Sequence, residues 1–569
     1  GHTGDSMGRP ITLIAALVLA VLLGIRATTP PAPQGAGSPA QVFAAGRAMA
    51  DVRVIAAKPH LAASPEDAAV RAHIAQRMRS LGMAVHETPF TAPPASAARL
   101  AWWSGKKDFA PTLTNVIGVM AGKDRNLPAV LLMAHHDTVG GSPGAADDTA
   151  GVSALIETAR AVRAGGQPMR DLIVLITDGE ELGLDGAHHF FTADPLRSHV
   201  GAVINVEARG GGGRTTLFET SPDNGAAIAR AARSVARPAG SSLGVFIYSV
   251  LPNDTDLTEA RDGPYTGYNF AFIGRPQLYH SPKATPDAID QGALQDMGAQ
   301  VLDLTRDLLR AEPLPGRAAD VVFFDAFGFT LVVYPAWAGW IMVVLAAAGL
   351  ASAALRQPDW RAGAGGAGRM LALIVLAGVM LYAINRLSLA PGEPNYYDRL
   401  AAIPRLEVMA LAGGLAAFAL TMGAWRPTPA GMAGAALPLL ALGVAGQALA
   451  PTAAYIVVLP VLLVAAALAA AHRSGTAARV LALIVMALVG GYMLSLGHQV
   501  MQGVGPNLPV AAVLPLALAA MAVLPLWPGL SAKTARIAAA LLLALAAGVA
   551  LDVRLDPLAD TVPVYEADK

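Results

Sequence analysis

An α/β domain with a mixed central sheet flanked by helices, followed by a multi-span all-α transmembrane domain, is the architecture that the 569-residue sequence predicts. Two observations carry it. From about Val42 to about Pro315, helical patterns alternate with short apolar, β-rich runs, the signature of a layered α/β domain. After about Trp337, long apolar segments follow one another with only short Pro-, Gly- or Arg-bearing loops between them. The overall balance agrees: 54% of residues are hydrophobic and only 14% charged, which is wrong for a wholly soluble chain. The formal net charge is zero, so there is no electrostatic case for nucleic acid. There is no cysteine, so disulfides and thiolate metal sites are excluded and any metal must rest on His, Asp and Glu.

Taken in order, residues 1–6 read as a cloning remnant. The apolar run within 7–29 is expected to be an uncleaved signal anchor, with a cleaved signal peptide as the alternative. Residues 30–41, rich in Pro, Gly and Ala, read as a linker. Within 42–315 the expected helices are "AVRAHIAQRMRSLG", "TAGVSALIETARAVRAGG", "NGAAIARAARSVAR" and "ALQDMGAQVLDLTRDLLRA". The expected strands are "TLTNVIGVM", "PAVLLMAHH", "DLIVLITDGEE", "GAVINVEARG" and "YNFAFIG". "ARGGGGRTT" lacks the Lys and Ser/Thr of a phosphate loop and reads as a flexible loop near the mouth of a site.

A connector at 316–335 leads to a membrane domain over 336–551 with roughly eight helices, about nine spans with the N-terminal anchor, and then an acidic tail at 552–569. Alternate loops carry Arg356, Arg361 and Arg369, then Arg426, then His472, Arg473 and Arg479, then Lys533 and Arg536. If these are cytoplasmic, the α/β domain and the tail lie outside, although Arg386, Arg399 and Arg405 fall on the opposite side. The span interiors hold almost no charge, which argues against an ion pathway.

The chemistry-bearing residues cluster after strands. In "AVLLMAHHDT", alternation puts His135 and Asp137 on one face and His136 on the other, and a metal-bound His commonly donates its second N–H to a carboxylate. Taken alone, the motif favours a surface loop or a satisfied histidine, and the aspartates of "GAADDTAG" favour a helix cap. "TDGEELG" sets adjacent glutamates at the end of a buried strand, an arrangement that suits a metal ligand beside a general base. "INVEARG" and "LYHSPK" add Glu207 and His280 after two further strands. His188 and His189 read as surface or packing residues on a helix, and Asp254 and Asp256 in "PNDTD" as a turn or cap, with a part in a substrate pocket as the alternative.

The order His-x-Asp, Asp-Asp-x-x-Gly, Glu-Glu-x-Gly-Leu-x-Gly, Asn-x-Glu, Tyr-His resembles the M28 metallopeptidases. "NDTDLTEARDGPYTGYNFAFI" followed by "YHSPKATPDAID" looks like their membrane-anchored branch, the endoplasmic-reticulum and vacuolar membrane metallopeptidases. The resemblance implies the zinc-dependent exopeptidase fold and two Zn²⁺ ions. Asp147 would bridge them, His135 and Glu207 would complete one site, and Glu181 and His280 the other. It further implies Glu180 as general base, Tyr279 as oxyanion stabiliser, Asp137 as the group orienting His135, and a cis bond between Asp147 and Asp148. Many soluble relatives have Asp where Glu207 stands, a departure that could shift one ion.

The implied function is that of a membrane-embedded aminopeptidase acting on short peptides on the extracytoplasmic side. Carboxypeptidase or glutaminyl-cyclase-like chemistry on the same fold is the first alternative, although cyclases work with one zinc and here both sites look filled. A non-catalytic scaffold in a membrane complex, and a transport or sensing role for the membrane half, are the others. Expected partners are a peptide substrate and the lipid membrane, with a homodimer as a further possibility. The Ala, Gly and Arg bias points to a GC-rich bacterial source, hence to an inner membrane with the peptidase domain on the periplasmic side.

Overall fold

The computed structural model describes residues 5–107, 110–392, 394–471 and 475–556. Residues 1–4, His472, Arg473 and the acidic tail beyond residue 556 lie outside the described residues. The described residues divide into two compact units, one formed by Thr29–Val333 and the other by residues 5–28 together with 334–556.

The first unit is built on seven strands: β1 (Ala84–Thr91), β2 (Thr112–Met120), β3 (Ala129–His135), β4 (Leu172–Thr177), β5 (Val200–Ala208), β6 (Gly212–Thr220) and β7 (Thr266–Gly274). Their order across the sheet is β1-β2-β4-β3-β5-β7-β6. The central β4, β3, β5 and β7 are mutually parallel, and β1, β2 and β6 are antiparallel to their neighbours. Every residue of β3 and β4 is buried, which explains why these strands read as unbroken apolar runs rather than alternating ones. Val130, Leu132, Ala134, Val174, Ile176, Ile204 and Val206 pack on one face with residues of the helices Ala45–Ile55, Pro65–Ser80, Gly151–Ala164, Gly225–Ser234 and Gln291–Leu308. Leu131, Met133, Ile173, Leu175 and Val203 pack on the other with Ala187, Phe190, Leu257 and Ala260. Local sequence starts these helices: Ser64 accepts a hydrogen bond from the Asp67 amide at 3.1 Å with Pro65 in the first turn, and Asp290 accepts one from Gly292 at 2.8 Å. The parallel strands all end on one edge, and the loops leaving that edge carry the site.

Three segments differ from the sequence reading. The glycine-rich stretch is no flexible loop: its second half is β6, paired antiparallel to β7 with register shifts at Gly212/Thr215 and Leu217/Glu219. Its backbone lies so close to β7 that a Cβ on Gly210 would stand 2.1 Å from the Gly274 carbonyl oxygen, and the glycines exist for that approach. The 30–41 stretch is fastened to the domain, because Arg47 donates to the carbonyls of Ala36, Ser38, Pro39 and Val42, and Gln295 accepts from the Gln34 amide. The connector contains two further strands, β8 (Val321–Asp325) and β9 (Leu331–Pro335), and Phe323 is fully buried in the domain core.

In the second unit, eight helices among the described residues are long and apolar enough to cross a membrane: Met7–Thr28, Ala338–Arg356, Trp360–Ser388, Ile403–Met422, Pro429–Leu449, Gly475–Val504, Pro509–Leu526 and Ala532–Leu555. A ninth apolar helix, Tyr455–Ala470, is shorter. At the margins of the expected spans, Glu407 and His498, on two of the long helices, meet at 2.9 Å. Arg399 is buried and donates to the Pro506 carbonyl, Ser388 and Asn385.

One buried electrostatic fastening of the α/β unit is Arg214 of β6 on Asp296, at 2.7 and 3.0 Å. Asp296 also accepts from the Thr215 amide at 2.8 Å and from Gln300 at 3.0 Å. Removing one member strands a buried charge, so Asp296→Ala is expected to destabilise this unit by about 3–5 kcal/mol, read as a lowered thermal midpoint of the full chain in detergent.

Candidate metal centre

His135 is the last residue of β3, and its side chain is fully buried. Its Nδ1 lies 2.9 Å from the Asp137 carbonyl oxygen, which can only accept, so Nδ1 carries the proton. Nε2 therefore turns into the site, 3.1 Å from Asp147 Oδ1, 3.3 Å from Glu180 Oε2 and 3.5 Å from Glu207 Oε2. The Asp137 carboxylate stands 3.3 Å from Nδ1, and its two oxygens accept the Glu180 and Glu181 amides, each at 3.1 Å. Asp137 thus orients more than the imidazole expected from its spacing: it also fixes the turn that bears both glutamates.

Asp147 sits in a distorted turn, Ala145–Ala150, and its bond to Asp148 is cis, as the resemblance implied. The chain enters this turn through Gly144 at φ 61°, where a Cβ would meet Thr138 Cγ2 at 2.6 Å and the Asp147 carbonyl oxygen at 2.7 Å. The two carboxylate oxygens of Asp147 divide: Oδ1 faces His135, and Oδ2 faces His280 Nε2 at 3.3 Å. His280 also lies 3.4 Å from Glu181 Oε2, and its ring stacks on Tyr279 with centroids 3.8 Å apart. Asp148 points elsewhere and accepts the His135 amide at 3.1 Å.

The expected residues thus form two sets, His135–Asp147–Glu207 and Asp147–Glu181–His280, whose candidate ligand atoms lie within 4.8 Å of one another. Glu180 borders the first set through His135. Burial drives the carboxyls of Glu180 and Glu181 well above the ordinary range, and mutual repulsion with their acidic neighbours adds to it. Glu207 is raised for the same first reason, and Asp147 is held low against burial by the two histidines. Burial alone would depress His135, yet Glu180 and Glu207 carry it well above its usual value. A donor set that can hold its acids only by charging an imidazole is one that a cation completes. Glu207 Oε1, buried and without a hydrogen-bond partner among the described residues, agrees. The all-N/O donors fit Zn²⁺.

The strand reading placed His136 on the opposite face, and it binds Asp67 through Nδ1 and the Thr114 carbonyl through Nε2, both at 2.9 Å. Its pKa is pushed up to about 9: burial opposes the charge, and Asp67 and Asp178 override it. Asp178, within the "TDGEE" motif, accepts the Thr114 amide at 2.8 Å, so Thr114 is gripped at both backbone groups beside the glutamate turn. Asp67 offers no local signal, since in "SPED" it reads only as a helix first turn. Asp256 is more than a cap: it is fully buried and accepts the Thr177 hydroxyl at 2.5 Å, while Asp254 is exposed. His188 is exposed beside Glu259, and His189 stacks on Phe90.

Residues 115–305 match the family model described as peptidase family M28. The chain is 31% identical over 264 residues to endoplasmic reticulum metallopeptidase 1 of Mus musculus, covering 44% of this chain and 29% of that protein. It is 34% identical over 227 residues to the vacuolar membrane protease of Eremothecium gossypii, covering 39% and 22% respectively. The matched stretch is thus under a third of the length of either relative. Among solved structures, a zinc aminopeptidase from Bacillus subtilis aligns with a TM-score of 0.38 and 16% identity, covering 49% of this chain and 99% of that one. Five acidic and imidazole side chains are gathered at the ends of four strands that neighbour one another in the sheet, and the stretch that holds them, residues 115–305, matches as a peptidase family M28 domain.

Proposed function

We propose that this chain is a membrane-embedded exopeptidase with two zinc ions, an aminopeptidase that hydrolyses short peptides outside the cytoplasm. The division of Asp147 between His135 and His280 carries this reading, because one carboxylate shared by two complete donor sets is the arrangement a pair of cations needs. Zinc in such a pair supplies a Lewis acid for the scissile carbonyl and lowers the pKa of water.

The remaining roles belong to the protein's own groups. Glu180 lies beside His135 and Glu181 with its backbone fixed by Asp137, and a carboxylate so placed suits a group that takes a proton from water and delivers it to the leaving amine. Tyr279, held against His280, is the donor for the developing oxyanion. Asp148, through the His135 amide, and His136, through Thr114, keep the loops in register. Completeness of both sets disfavours a one-zinc cyclase and a scaffold that has lost its ligands. The apolar helices and the distribution of loop arginines support a membrane protein with the peptidase unit outside the cytoplasm. By their names the two curated relatives belong to eukaryotic endomembranes, so a bacterial inner membrane rests on composition alone.

Metal analysis of the purified protein should find about two zinc ions per chain. Glu180→Gln should keep them while lowering the turnover rate by about 10²–10⁴-fold. Asp147→Ala should lose both ions together, whereas Glu207→Ala should weaken one. Stepwise loss from Asp147→Ala, one ion leaving and one staying tightly held, would contradict the bridge. Peptides with a free N-terminus should be cleaved and their N-acetylated counterparts spared; release of residues from the C-terminus instead would replace the aminopeptidase by a carboxypeptidase.

A further inference from the structure

The helix Ser242–Val250 is anchored to the domain at its start, where Ser241 accepts from the Gly244 amide and the Ser242 hydroxyl exchanges hydrogen bonds with the backbone of Phe323 at 3.0 and 3.2 Å. It sets the ring of Tyr248 edge-on against Phe218 of β6, with centroids 4.8 Å apart. The Tyr248 hydroxyl is buried and has no hydrogen-bond partner among the described residues. A buried hydroxyl left without a partner is unfavourable and marks a place where something else bonds.

Its surroundings say what kind of group that is. Glu219, Glu207, Asp254 and Glu180 are all near enough for their charges to act on this phenol; burial first, and these carboxylates next, keep its proton on. Two of the four, Glu207 and Glu180, belong to the metal centre. The hydroxyl thus feels the charge of the proposed reaction centre and of a second acidic group, Glu219, which directly follows the Phe218 that its ring packs on. Glu219, the residue after Phe218, is itself buried and rigidly set: Oε1 accepts from Asn269 at 3.0 Å, and Asn269 is held by Asn205 at 3.0 Å and donates to Thr255 at 2.8 Å. Arg261 comes no closer to Glu219 than 3.8 Å and also faces Asp262 at 3.3 Å.

A neutral oxygen with a free lone pair among several carboxylates suits a cation with N–H donors. We propose that Tyr248 and Glu219 form a subsite that binds an ammonium group of the peptide substrate, Tyr248 accepting one N–H and Glu219 supplying the compensating charge. This rests on the peptidase reading and adds to it the part of the site that recognises the amine. An ammonium group can come from the N-terminus or from a lysine side chain in the first residue, and the two are separable.

The test uses full-length wild type, Tyr248→Phe and Glu219→Gln with leucyl and lysyl anilides, their N-acetylated forms, and zinc analysis of each variant. Either variant should raise KM about tenfold at little changed kcat and with unchanged zinc content. A shift for both unblocked anilides identifies the α-ammonium group, and a shift for the lysyl anilides alone identifies the side chain. Unchanged KM in both variants overturns the subsite, and so does a fall in kcat alone, which would place Tyr248 at the reacting carbonyl. If zinc-loaded wild type cleaves no peptide, the peptidase reading fails separately. The subsite is then read by calorimetry with lysine amide and its diacetylated form: preference for the free amines that Glu219→Gln abolishes upholds it, and equal binding removes it.

Discussion

Acidic side chains at the ends of parallel strands repel one another, and the rest of this molecule is arranged around that repulsion. Glu180 and Glu181 from one turn, Glu207 from the end of β5 and Asp147 from the turn after β3 converge onto two imidazoles in a largely buried space. No packing force would assemble such a group, since burial of unpaired carboxylates is unfavourable. The scaffold has to be strong enough to hold it, and the unbroken apolar strands β3 and β4, sandwiched between two helical layers, meet that need. The charge that would complete the balance is a cation, which links the stability of the loops to the occupancy of the site.

The order of motifs along the chain made the centre legible. His135, Asp147, Glu181, Glu207 and His280 each follow a recognisable strand or begin a recognisable helix, so the sheet alone brings them to one edge. The alternation of a strand was enough to separate His135 from His136. Less legible were residues whose roles depend on neighbours far away in sequence. Asp67 meets His136 across 69 positions, and Asp256 meets Thr177 across 79; neither spacing leaves a local trace. Tyr248 is in the same class, because its helix is apolar and nothing in "SLGVFIYSV" marks one hydroxyl as inward and unpartnered.

Composition and structural role part company in a few segments. Glycines normally signal freedom, but those of β6 permit a close backbone approach and are then locked by Arg214 on Asp296. Prolines and glycines at 30–41 normally signal a spacer, but the carbonyls of that stretch are taken up by Arg47. In the membrane unit, Glu407 and His498 are too far apart in sequence for a hydropathy window to reveal them as a pair, and pairing is what makes ionisable groups tolerable in apolar helices.

Asp137 shows how the centre is kept from collapsing onto itself. One carboxylate receives the amides of both Glu180 and Glu181 and stands beside Nδ1 of His135. The proposed base and the proposed ligand next to it are thus positioned through their backbones, leaving their side chains free to serve protons and cations. The same residue's carbonyl sets the tautomer of His135, so the lone pair on Nε2 faces Asp147. Base, ligand and imidazole consequently share one support, and a change at Asp137 must disturb all three even though its carboxylate is taken up by backbone amides and the far side of the imidazole.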